Sequence, residues 1–117
     1  MKTTIFVYGT LKRGQRNHSL LQDQEFLGPA RTLPRYRLYD CGRYPALVEE
    51  PVSGVSVFGE VWRVPEAVLR QMDECEGVPR EYSRREILVD GFDPPVEAYF
   101  FNGEVAGLKD CGGRWPR

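Results

Sequence analysis

Apolar positions cluster first at Ile5, Phe6, Val7 and Tyr8, an unbroken β-branched and aromatic run that predicts a central strand at 5–8. Gly9 and Gly14 bracket the polar loop that follows. Asn17 then stands where it could cap a short helix over 18–21. From 25 to 40, aliphatic residues alternate loosely with arginines and tyrosines and are interrupted by Pro29 and Pro34, a pattern of bent, extended structure at a sheet edge. A turn at 41–45 leads to a short strand at 46–48, and a second turn at 51–54 leads to 55–64. There both the odd and the even positions carry apolar groups, so this strand has two buried faces and sits centrally or in a barrel wall.

Pro65 suits the first turn of a helix running to about Glu76, with Gly77 as its stop. Strands at 82–89 and 96–101 follow, separated by Asp90-Gly91 and Pro94-Pro95. The tail is read as irregular, with Trp115 docked on the body. Many strands, two short helices and frequent Gly/Pro turns give an α+β class, a small curved or closed mixed β-barrel flanked by short helices.

At 117 residues the chain is expected to form one domain, 1–117. Apolar residues make up 41%, charged ones 28%, and the formal net charge is −1, which gives no general attraction to nucleic acid or membrane. The N-terminal apolar run is too short for a signal segment or a membrane span, so a cytoplasmic monomer acting on a small molecule is expected. Cys41, Cys75 and Cys111 are widely spaced, form no CxxC and have only His18 to help ligate a metal, so neither zinc nor a disulfide framework is expected. His18 reads as an exposed helix residue.

Two stretches carry candidate chemistry. In the loop after the first strand, Gly9 lacks a Cβ, so the backbone is free to take φ > 0 and bring its N–H groups toward a polarised oxygen. The spacing approaches a phosphate loop, but Gln15 and Arg16 replace the required Lys-Ser/Thr pair and the nucleotide reading fails. A strand, turn and helix start that holds nothing remains open. In the helix, Val68, Leu69, Met72 and Cys75 define an apolar face; Glu76 lies roughly 50° from its centre, Asp73 about 110° and Glu74 about 150°. Glu76 is therefore the inward carboxylate, where burial and the negative helix end raise its pKa toward the range of a general acid/base. Fraying into solvent at the helix end is its alternative.

The motifs VYGTLKRG at 7–14, with Asn17-His18 after it, and MDECEGVPREY at 72–82 together resemble the gamma-glutamylcyclotransferase family, in its small branch that includes gamma-glutamylamine cyclotransferase. The resemblance implies that Tyr8, Gly9, Thr10 and Leu11 line a substrate pocket and that Glu76 is the catalytic acid/base. It also implies a small flanked barrel that uses no metal or cofactor. Cys75 and Phe101 depart from the positions' usual aromatic and tyrosine residues. The implied reaction releases 5-oxoproline and a free amine as the α-amine of a γ-glutamyl group attacks its own γ-carbonyl. A non-catalytic ligand-binding module of the same fold and a Glu-dependent amidohydrolase are the competing readings.

Overall fold

A computed structural model describes residues 2–116. Eight strands run in the order β1 (Lys2–Val7), β2 (Glu25–Arg31), β3 (Tyr36–Asp40), β4 (Pro45–Glu49), β5 (Phe58–Pro65), β6 (Tyr82–Glu86), β7 (Glu97–Phe101) and β8 (Lys109–Gly112), with helix α1 (Glu66–Cys75) between β5 and β6. Five strands form one sheet in the order β2-β5-β1-β7-β6, and three form a second in the order β4-β3-β8. The first is mixed, because β1 and β7 run parallel while its other pairs are antiparallel. Of the two expected architectures, curved or closed, the chain adopts the curved one: the described residues form two separate sheets and no closed barrel.

The period of two explains the layering. On β1, Ile5 and Val7 point into a cluster with Trp62, Val64, Leu69 and Met72. Phe6 and Tyr8, on the opposite face, join Leu38, Leu47, Val57 and Val61. β7 repeats this division, with Tyr99 on the helix side and Ala98 and Phe100 on the side of the second sheet. The large sheet is thus covered by α1 on one face and by the small sheet on the other, which is why its central strands read as continuous apolar runs.

α1 begins after Pro65 and ends as expected, with Gly77 at φ +69°. Gly77 N–H donates to the Glu74 carbonyl at 3.1 Å and Val78 N–H to the Asp73 carbonyl at 3.0 Å, closing the last turn. Leu69 and Met72 are its buried residues. Met72→Ala should cost about 2–5 kcal/mol, read from denaturant unfolding, because the thioether has no solvent exposure and its space cannot refill.

Several boundaries differ from the sequence reading. The predicted 55–64 strand starts at Phe58, and Val55 only bridges Tyr36. The predicted 82–89 strand stops at Glu86. The tail is not irregular, since Lys109–Gly112 pairs with β3. Trp115 is buried as expected. Asn17 precedes a three-residue 3-10 helix, His18–Leu20, without capping it. His18 is half-buried, not exposed, and packs 5.3 Å from the Trp62 ring.

Candidate active site

Where β1 leaves the sheet, the chain turns through residues 8–14, and the turn is fastened from behind. Asn17 Nδ2 donates to Thr10 Oγ1 at 3.0 Å and its backbone N–H to the Thr10 carbonyl at 2.9 Å. The Leu11 carbonyl meets His18 Nδ1 at 3.0 Å, and Lys12 Nζ donates to the Trp115 carbonyl at 2.6 Å. Asn17 and His18 therefore shape the loop, and His18 opens only a three-residue 3-10 helix. With the carbonyls held backward, the N–H groups of Gly9, Thr10 and Leu11 make no turn or loop hydrogen bond among the described residues. All three residues are buried against a pocket, a setting that favours a ligand oxygen as partner.

Gly9 is required for a different reason from the one expected. It does not take a positive φ. A Cβ there would lie 2.6 Å from Pro45 Cγ and 2.8 Å from Pro45 Cδ, so the missing side chain lets the loop pass against the start of β4.

The pocket holds about 300 Å³ of free space, its mouth included. Residues Phe6 to Leu11 line it together with Tyr44, Pro45, Glu76, Tyr82 and Tyr99. The candidate residues Tyr8, Gly9, Thr10, Leu11 and Glu76 are thus brought together around one cavity. A second space of about 400 Å³ shares Thr10, Tyr44, Glu76 and Tyr82 and adds Arg16, Asn17, Cys75 and Glu81, so the cleft has an inner chamber and an outer vestibule.

Glu76 sits at the junction. Burial, then the nearby Glu81 carboxylate, push its pKa from 4.5 up to about 7, against the opposing pull of Arg16. A carboxyl titrating there can both take and return a proton near neutrality. Glu74 is exposed, as helical geometry requires. Cys75 is exposed as well, which corrects its placement on the apolar face. Its thiol is pushed up by desolvation and by Glu76, opposite to what a thiolate nucleophile needs. Phe101 is half-buried and meets the Tyr82 ring edge-on at 5.5 Å.

Sequence reasoning assigns no role to Tyr44, Tyr82, Tyr99 or Asp73. Tyr99 donates its hydroxyl proton to Asp73 Oδ1 at 2.7 Å. Arg84 Nε lies 3.0 Å from the same oxygen, and Arg84 Nη1 pairs with Glu97 at 2.7 Å. This network ties the flank of α1 to β6 and β7 three residues before Glu76. Tyr82 closes the motif at 72–82, and Tyr99 falls on the helix-facing parity of β7; the chain carries no other signal of them.

Among the described residues no group of three or more His, Cys, Asp or Glu is placed to hold a metal ion, and no helix is long and apolar enough to cross a membrane.

The family model described as gamma-glutamyl cyclotransferase, AIG2-like, matches residues 5–117. A Vibrio cholerae protein whose name places it provisionally among the gamma-glutamylcyclotransferases is 50% identical over 84 residues, covering 72% of this chain and 70% of that protein. The gamma-glutamylaminecyclotransferase of Bos taurus is 42% identical over 106 residues, covering 83% of this chain but only 63% of the bovine enzyme. An AIG2-like protein of Mus musculus superposes with a TM-score of 0.79 at 31% identity, over 93% of this chain and 85% of the mouse chain.

Proposed function

This chain belongs to the gamma-glutamyl cyclotransferase, AIG2-like family, and from that premise we propose that it releases 5-oxoproline and a free amine from a small γ-glutamyl amine or peptide. The observation that carries the reading is that Glu76, its pKa pushed up to about 7 by burial, lines one small pocket with Gly9, Thr10 and Leu11, whose N–H groups make no turn or loop hydrogen bond among the described residues.

The chemistry needs little more. The attacking nitrogen and the γ-carbonyl belong to one substrate, so the pocket supplies attack geometry in place of a second reactant. Glu76 takes a proton from the α-ammonium, and the freed lone pair attacks the γ-carbon. The carbonyl oxygen becomes an oxyanion facing the loop N–H groups. As the tetrahedral centre collapses, the bond to the leaving nitrogen breaks and Glu76 returns its proton there. The two hydrogens that the α-nitrogen loses on becoming a lactam end on the expelled amine. The inner chamber accommodates the glutamyl part and the outer vestibule the leaving amine. Tyr8, Gly9, Thr10 and Leu11 act as substrate-binding residues, and the protein works without a cofactor.

Incubation with a panel of γ-glutamyl amines and dipeptides tests this directly. Release of 5-oxoproline with the free amine supports it; release of glutamate instead points to an amidohydrolase, and no turnover with ligand binding points to a binding module. The pH profile offers a second measurement. Glu76 must be ionised in the free enzyme to act as base, so kcat/KM should rise as pH passes upward through about 7. A flat profile from pH 5 to 8 would remove Glu76 from that role.

A further inference from the structure

Three tyrosines surround Glu76, and each has its hydroxyl proton already committed. Tyr8 donates to the Tyr99 carbonyl at 2.6 Å, Tyr82 to the Pro45 carbonyl at 2.6 Å, and Tyr99 to Asp73 Oδ1 at 2.7 Å. Arg84 Nε lies 3.0 Å from that same Asp73 oxygen. A phenol has one proton to give and two lone pairs, so what these hydroxyls have left for a ligand is acceptor capacity, less of it at Tyr8, which also takes a backbone hydrogen bond from Leu47. All three rings line the inner chamber, and the Glu76 charge is felt at each hydroxyl. The rings come from three separate places: Tyr8 directly follows β1, Tyr82 opens β6 and Tyr99 lies in β7.

The chamber is thereby sorted by polarity, with N–H donors on the loop at 9–11 and three committed hydroxyls beside Glu76; Tyr44 and, in the vestibule, Arg16 are the donors that share the lining with Glu76. Packing alone would be served by phenylalanine, as at Phe100 and Phe101 on the same strand as Tyr99. We propose that Tyr8, Tyr82 and Tyr99 form, with Glu76, an acceptor-only cradle for a primary ammonium group. Its identity as the α-ammonium of a γ-glutamyl substrate rests on the function proposed above; the polarity of the cradle does not.

An ammonium has three N–H bonds. When one proton passes to Glu76, the two that remain can stay on neutral hydroxyl oxygens, and this fixes where the new lone pair points. Neutral acceptors suit the step better than further carboxylates, which would hold the cation too strongly for it to lose its proton.

Calorimetric titration of the full chain with L-glutamine and with glutaramic acid, the same γ-amide lacking the α-ammonium, tests the cradle by binding, with 5-oxoproline release from L-glutamine followed in parallel. Wild type should bind L-glutamine at least about tenfold more tightly, the difference expected for hydrogen bonds to a charged group. Tyr8→Phe, Tyr82→Phe and Tyr99→Phe should each reduce that ratio severalfold while leaving glutaramic acid affinity unchanged. Equal wild-type affinity for both probes, or binding of neither, overturns the proposal even if the variants fail to fold. A parallel loss of both affinities in the variants also overturns it, since that marks a structural effect. If the ratio behaves as expected while no γ-glutamyl amine yields 5-oxoproline, the proposed reaction fails and the cradle stands.

Discussion

Glu76→Gln is expected to lower kcat by about 10²–10⁴-fold with KM little changed, the range typical of lost general acid–base assistance. Glutamine keeps the shape of the side chain and cannot exchange the proton. Glu74→Gln, on the exposed side of the same helix, should remain close to wild type. Equal losses in the two variants would refute the assignment of the inward face.

A stability measurement separates this effect from unfolding. Burial raises Glu76 to about 7 from 4.5, so the folded chain holds this proton more tightly than the unfolded one. Below pH 4.5 both states are protonated; between 4.5 and 7 only the folded state keeps its proton, and stability falls as pH rises. Above 7 the folded protein carries that half-buried charge in full. Glu76→Gln should therefore melt higher than wild type at pH 8 and close to it at pH 4. A variant that is more stable and less active places the defect in chemistry.

Gly9→Val should abolish substrate binding and is also expected to cost about 1–3 kcal/mol of stability through overpacking against Pro45. The added methyl groups would have to displace the Pro45 ring or move the loop at 8–11 out of line with Glu76. Calorimetry with L-glutamine and denaturant unfolding read the two effects separately. Full activity in this variant would remove the loop from the site.

The parts of the fold that follow a local period are legible in the amino-acid pattern alone. Ile5 to Tyr8 alternate between two buried faces, and such a run belongs to the middle of a covered sheet. Glu76 is legible for the same reason, since 100° per residue places it beside Leu69 and Met72. Asp73 is not: angular counting turns it away from the apolar face, but β6 and β7 wrap that flank of the helix and bring it Arg84 and Tyr99. Cys75 fails in the opposite sense, because the helix ends there and its apolar stripe runs out into the vestibule. The strand Lys109–Gly112 has no apolar alternation to betray it and is specified by backbone pairing with β3. Gly9 is recognisable as indispensable, yet its reason, contact with Pro45, depends on a residue 36 positions away and not on its own dihedral freedom.

That contact makes the cleft a seam. Its floor is the end of β1 in the large sheet, and its roof is Tyr44 and Pro45, at the start of β4 in the small one. Gly9 against Pro45, and Tyr82 donating to the Pro45 carbonyl, are stitches across it. Neither sheet holds the cavity alone. A sub-global opening that parts the sheets while leaving each intact dismantles the chamber first, and a bound ligand opposes that opening by mass action. Substrate bound as proposed is thus expected to clamp two foldons: occupancy of the chamber should protect the amides of β3 and β4 from exchange, although most of them never touch it.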